Sequence, residues 1–205
     1  IIGVPLGDGT GWDDTPITRR LLWTQKINEW KQKYSEEKSR EGDSVVYDYL
    51  NGLFKSLPDD CIIIPDIGSN LVWTIQSAIL KEGQKLFTNL GNASMGFAIP
   101  AAIGAAIATN RPVYVIIGDG GLQMNIQELQ TIKNYNINIK TLILNNHIYG
   151  ITKAFQETNF EGQSEACGPK GYTPPNFINI AKAYEIKTIE VKNNAELDSQ
   201  IDEIL

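Results

Sequence analysis

The chain has 205 residues, roughly one domain to one and a half at about 150 residues per domain. Hydrophobic residues make up 42% and charged residues 20%, which excludes a disordered tail and a collagen-like repeat. Lys plus Arg is 18 and Asp plus Glu is 24, a net charge of −6 with no basic cluster, which excludes a nucleic-acid binder of the usual kind.

The first residues, Ile1-Ile2-Gly3-Val4-Pro5-Leu6, lack an initiator Met and the basic, apolar and cleavage regions of a signal peptide. Gly7–Asp14 has no periodicity and reads as loop. Thr15-Pro16 is a helix start, Thr as the cap and Pro at the first helical position. Ile17, Leu21, Ile27, Trp30 and Tyr34 continue at helical spacing. Residues 35–43 are charged and apolar-free, a linker. A second amphipathic helix spans Val45–Leu57 and ends at Pro58-Asp59-Asp60. Cys61–Ile64 is a short, continuously apolar strand. A helix is expected over Leu71–Lys81, with Gly83 closing it, and a short strand over Lys85–Thr88. Met95–Thr109 reads as a small-residue helix. It contains the longest apolar run, Ala98–Ala108, which is broken by Pro100 and Gly104 and falls short of the roughly 18–20 residues of a membrane span. Val113–Ile117 is the clearest strand. Asn125 and Glu128 resemble a capping box for a helix to about Tyr135. Thr141–Leu144 is a strand, residues 158–175 a long loop, Asn176–Tyr184 a helix, Lys187–Val191 a strand, and the last twelve residues another helix.

Continuously apolar strands alternating with helices predict a doubly wound α/β domain, with a mainly parallel sheet of about five or six strands and helices on both faces. The predicted division is residues 1–43, the tail of an upstream domain and a linker helix, and residues 44–205, the α/β domain. Leu197, Ile201 and Ile204 are helically spaced up to the last residue, so both ends read as cut and a longer protein is expected. The two cysteines, Cys61 and Cys167, fit no zinc or redox spacing and read as reduced thiols of a cytoplasmic protein.

Open α/β sheets bind ligands at the carboxyl ends of their strands. Four such ends here carry Asp66-Ile67-Gly68-Ser69-Asn70, Gly91-Asn92-Ala93-Ser94, Gly118-Asp119-Gly120-Gly121 and Asn145-Asn146-His147. None holds a Ser-His-Asp set, a Gly-Lys-Ser/Thr triplet or a GxGxxG followed by an acidic residue. Glycines let backbone N–H groups approach phosphate oxygens, and one carboxylate suits a hard cation such as Mg2+. Asp119 supplies one oxygen, the Asn146 amide a second and a carbonyl just beyond it a third, leaving a diphosphate and water to complete the shell. Gly7-Asp8-Gly9 repeats the tripeptide, but no strand precedes it. Only the second copy is followed, after 24 residues, by Asn145-Asn146. Asp119 and Asn146 are therefore expected at neighbouring strand ends, their side chains within about 5 Å.

That pairing resembles the signature of thiamine-diphosphate-binding proteins. The stretches Asn92–Gly104 and Gly118–Leu129 resemble the diphosphate-binding domain of the acetolactate synthase family, within the pyruvate oxidase and pyruvate decarboxylase group; the similarity covers roughly residues 20–192. The resemblance implies that Asp119, the Asn146 side chain and the Ile148 carbonyl ligate Mg2+. It implies that Gly118, Gly120 and Gly121 hold the diphosphate, with Ser69 and Asn70 standing where the family usually has Gln-His. Ala93, Ser94 and Met95 would contact the thiamine, Met95 as the large apolar residue that bends it. Tyr149, Gly150 and Ile151 complete the implied cofactor set. Phe155 stands where the synthases place a Trp beside the second substrate. His147, the chain's only histidine, takes a supporting role, because its family position carries other residues.

The resemblance also implies domains that this chain lacks. A pyrimidine-binding domain, of the same or a second chain, would supply the activating Glu, so no catalytic residue is assigned here beyond the pocket residues Met95 and Phe155. A middle domain, FAD-binding in some members, would lie upstream. The intact protein would be a homodimer or tetramer, and this chain alone inactive. The implied activity is decarboxylation of a 2-oxo acid such as pyruvate and transfer of the acyl unit to a second carbonyl. A decarboxylase without an acceptor, and a non-catalytic Mg-diphosphate or nucleotide module, are the alternatives. Residues 147–172 are expected to depend on cofactor and partner for their order, and the isolated chain to self-associate through apolar surface.

Overall fold

The computed structural model describes residues 16–33 and 44–204. The expected N-terminal loop, the Thr15 cap and the 35–43 linker lie outside the described residues. The chain divides into two compact units, Ile1–Arg40 and Glu41–Leu205. In the first, α1 spans Pro16–Lys33 and carries an edge-to-face pair, Trp23 and Trp30, at 6.1 Å.

The second unit is built on β1 (Ile62–Pro65), β2 (Lys85–Leu86), β3 (Val113–Gly118) and β4 (Ile139–Leu144). All pairings are parallel, in the order β2-β1-β3-β4. The alternation of side chains splits the core between the two faces. Ile62, Ile64, Val113, Val115 and Ile117 point to one side, against α4 (Ala98–Thr109), α6 (Glu128–Tyr135) and Phe177 at the start of α8 (Phe177–Ala183). Ile63, Tyr114 and Ile116 point to the other, against Leu50, Leu53, Phe54 and Leu57 of α2 (Ser44–Ser56). β1 and the first five residues of β3 are buried throughout, which accounts for their unbroken apolar runs. In α4, Ala98, Ala102 and Ala106 recur every four residues on the buried face, and their size lets the helix lie close on the sheet.

Several expected elements differ. Four strands form among the described residues, not five or six, because residues 187–191 make no ladder. Three of those five side chains are polar, so the drive to bury both faces that holds β1 and β3 is missing. Lys187 instead pairs with Glu203 of α9 (Asn194–Ile204) at 2.9 Å, and an apolar cavity of about 730 Å³ separates the segment from β4. The third helix, α3, runs Ser69–Ser77 rather than to Lys81, and Gly83 serves a turn in which Gln84 N donates to Lys81 O at 3.2 Å. α4 starts at Ala98, not Met95, because Gly96 takes φ +82°, outside the helical range. Asp119–Met124, where no element is expected from the pattern, forms a helix, α5. Asn125 does not cap a helix with its side chain; α6 begins three residues later, and the Asn125 amide donates to Gly96 O at 2.9 Å. Within the segment expected to be irregular, Gly150–Asn159 forms α7 and Glu165–Cys167 a 3-10 turn. The α8 start is as expected: Asn176 Oδ1 accepts from Asn179 N at 3.0 Å.

Candidate active site

The last rung between β3 and β4 pairs Gly118 with Leu144. One step further out, Asp119 leaves β3 and Asn145-Asn146 leave β4, at neighbouring carboxyl ends of the sheet. Asp119 is 2% exposed at the head of α5. Its Oδ2 accepts from the Tyr172 hydroxyl at 3.0 Å, and that hydroxyl accepts from Gln123 Nε2 at 2.8 Å. Burial, and then the charge of Asp119, push the Tyr172 phenol well above its ordinary pKa. The Tyr149 ring lies 4.1 Å from that of Tyr172 and covers Gly120, where an added Cβ would stand 2.3 Å from Tyr149 Cε1. Asn146 is exposed, and its Oδ1 accepts from Ile148 N at 3.2 Å. Ser69 Oγ and Asn146 Nδ2 meet at Gly150, 3.3 and 3.4 Å from where its Cβ would be. His147 is exposed with φ 61°.

Asn70 lies beneath this surface, 4% exposed. Its amide donates to Asp66 O at 2.8 Å and Ile116 O at 3.1 Å, tying β1 to β3. Only its Oδ1 faces Gly118, 3.6 Å from where a Cβ would stand. Ile151 and Phe155 are exposed on α7, and Phe155 packs edge-on against Phe160 rather than against the residues above.

The second wall is the loop before α4. Ala93 takes φ 52° and donates its N–H to Asn89 O at 2.9 Å; Ser94 and Met95 are exposed. This loop is held by Asp66, which the sequence marks only as the residue after a strand. Asp66 is fully buried. Its Oδ2 accepts from Gly96 N at 2.9 Å and its Oδ1 from Ala98 N at 3.1 Å. Phe97, the residue at the helix cap, makes no side-chain cap bond, so the Asp66 carboxylate, just past β1, answers the first N–H group of α4, that of Ala98, instead. Gly121 makes room for it: a Cβ there would stand 2.3 Å from Asp66 Oδ2. Burial raises the Asp66 pKa, while the backbone N–H groups pull it back.

Asp66 had a legible signal, an acid directly after an all-apolar strand. Tyr172 had none, because it reaches Asp119 from 53 residues away. The donor set suits a hard cation: a buried carboxylate beside an amide oxygen, with backbone carbonyls close by. No three His, Cys, Asp or Glu side chains converge among the described residues, so a metal here would draw on amide, carbonyl and ligand oxygens. Thr88 Oγ1 and Asn89 Oδ1, just past β2, are buried without a hydrogen-bond partner, two polar atoms at this end of the sheet that a ligand could satisfy. No helix among the described residues is long and apolar enough to cross a membrane.

The sequence pattern of the family described as thiamine pyrophosphate enzyme, C-terminal TPP binding domain, matches residues 66–205. The chain is 40% identical over 135 residues to an acetolactate synthase large subunit of Lactococcus lactis, covering 65% of this chain and 23% of that protein. It is 30% identical over 196 residues to the same subunit of Cyanidium caldarium, covering 95% and 33%. It is 33% identical over 188 residues to the isozyme 1 large subunit of Escherichia coli, covering 91% and 33%. The chain thus spans between 23% and 33% of the length of these relatives. A parallel sheet carrying this donor set at its carboxyl ends, together with these matches, shows that the chain belongs to the thiamine pyrophosphate enzymes, as a C-terminal TPP binding domain.

Proposed function

We propose that this chain is the Mg2+- and diphosphate-binding part of an acetolactate-synthase-like carboligase. The whole protein would decarboxylate a 2-oxo acid, pyruvate as the first candidate, and join the acyl unit to a second carbonyl. One observation carries the reading: a buried carboxylate, Asp119, one step beyond the Gly118–Leu144 rung and beside Asn145-Asn146. Thiamine diphosphate, when bound, would supply a cationic thiazolium ring that takes up the charge left as carbon dioxide departs.

The chain's own residues would bind and orient. Asp119, Asn146 and the Ile148 carbonyl would hold Mg2+; Asn146 Oδ1 accepts from Ile148 N and has a second lone pair for the cation. The N–H groups of Gly120 and Gly121, with Gly118 and Ser69, would hold the diphosphate; Asn70 has only its Oδ1 free to contribute. Ala93, Ser94 and Met95 would take the thiamine, on a loop that Asp66 positions. Tyr149, Gly150 and Ile151 would wall the site, and Phe155 would border the acceptor. The proton-activating Glu would come from a pyrimidine-binding domain in a homodimer or tetramer. The sequence relatives support this reading through their own names, acetolactate synthase large subunits.

In the full-length protein, Asp119→Ala should abolish Mg2+-dependent thiamine diphosphate binding measured by calorimetry, since it removes the set's only carboxylate. Asn146→Ala should weaken binding less, because water can replace a neutral amide oxygen. Equal affinity in wild type and Asp119→Ala overturns the assignment. With pyruvate, a product carrying a new carbon–carbon bond supports the carboligase, and release of free aldehyde alone points to the decarboxylase.

A further inference from the structure

Tyr172 belongs to a segment that reads as irregular, yet it is among the most tightly held residues around Asp119. Its N–H donates to Gly168 O at 2.7 Å, beside the bond from Gly171 N to the same carbonyl at 2.9 Å. Gly171 permits this turn, since a Cβ there would stand 2.6 Å from Ala166 Cα. Tyr149 N donates to Cys167 O at 3.0 Å, which pins the turn to the chain leaving β4. The phenol is 8% exposed and packs on Tyr149.

The direction of the hydrogen bonds follows from donor chemistry. A Gln Nε2 can only donate, so the Tyr172 oxygen accepts from Gln123 and spends its own proton on Asp119 Oδ2. A carboxylate held by one oxygen can no longer rotate freely. The other oxygen, Oδ1, is left with a defined orientation. Outer hydrogen bonds of this kind orient metal-binding carboxylates and tune their affinity.

We infer that Tyr172 is a positioning residue for the cation: with Gln123 it locks the Asp119 carboxylate so that Oδ1 is presented to the metal. The inference rests on the proposed role of Asp119 and is distinguishable from it. Tyr172→Phe keeps the ring and its contact with Tyr149 and removes only the hydroxyl. In the full-length protein at saturating thiamine diphosphate, Mg2+ titrated calorimetrically should bind Tyr172→Phe about 10-fold to 100-fold more weakly than wild type. Mn2+, followed by paramagnetic resonance, should weaken in the same direction. Gln123→Leu should show a smaller loss, because the phenol stays but its proton is no longer directed. Melting in EDTA separates positioning from mere packing: the metal-free melting temperature of Tyr172→Phe should stay close to wild type.

Unchanged or tighter Mg2+ binding by Tyr172→Phe overturns the inference; tighter binding would mean that the hydroxyl competes with the cation for Asp119. A lower melting temperature in EDTA with wild-type Mg2+ affinity also overturns it. If Asp119→Ala itself binds Mg2+ normally in the same assay, the site reading fails first. If Asp119→Ala loses the metal and Tyr172→Phe does not, only the role of Tyr172 fails.

Discussion

Asp66 shows how one buried group joins two elements. Its carboxylate leaves β1 and answers the N–H groups of Gly96 and Ala98, so it fixes both the start of α4 and the loop that carries Ala93 and Met95. In Asp66→Asn, one acceptor oxygen becomes an NH2 group facing a backbone N–H. That should destabilise the fold by about 1–3 kcal/mol, read from urea unfolding. The pH dependence has a defined sign. Burial raises the folded-state pKa of Asp66, so its contribution to stability is fully present below the ordinary Asp range and is lost as pH rises through the raised value. The gap between wild type and Asp66→Asn should therefore be widest at the acid end and narrow towards neutrality. A gap that widens with pH would mean that the N–H bonds to the ionised form outweigh desolvation.

Among the elements, α7 and the β1–β3 pair stand at opposite ends of local stability. β1 and β3 are buried on both faces and hydrogen-bonded on both edges. α7 has no buried residue, and Ile151 and Phe155 are exposed along it. Its supports include a surface ion pair between Lys153 and Glu157, the bond from Ser164 Oγ to Glu157 at 3.0 Å, the Phe155–Phe160 contact, and a Cys167–Gln156 bond at 3.1 Å. An exposed pair contributes little, roughly 0–1 kcal/mol. Amide hydrogen exchange without cofactor should therefore be fast across residues 150–159 and slow across Val113–Ile117. Adding Mg2+ and thiamine diphosphate should slow exchange at residues 147–151 first, where the chain leaves the proposed site. Strong protection of α7 without ligand would show that the helix is stable by itself.

For the molecule as a whole, the proposed site is assembled from four segments far apart in sequence: 66–70, 92–98, 118–123 and 145–172. A ligand that bridges them binds only the folded state. At about 100 times its dissociation constant, such a ligand adds about 2.7 kcal/mol of stability. The full-length protein should therefore melt at a higher temperature with Mg2+ and thiamine diphosphate together than in EDTA. Asp119→Ala should remove that increment without lowering the melting temperature in EDTA to a similar extent. An equal increment in wild type and Asp119→Ala would separate cofactor binding from this carboxylate.

The sequence alone determined the elements whose side-chain pattern is local and redundant. The apolar runs of β1 and β3, the small-residue composition of α4 and the helical stretch from Asn176 each declare themselves within a few residues. It also determined the spacing from Asp119 to Asn145-Asn146, which gains meaning from two strand ends. Tertiary structure decided the rest, because the deciding partners are remote. The two glycines at the head of α5 answer remote neighbours: Gly121 makes room for Asp66, and Gly120 lies under Tyr149. Asn70 is spent on tying β1 to β3 by carbonyls that no local pattern identifies. Residues 187–191 have a strand-like alternation but stay off the edge of β4, because a half-polar segment gains too little from burial to bring its backbone there. Tyr172 meets Asp119 only once β3, β4 and the turn after α7 have been brought together, and no spacing along the chain encodes that meeting.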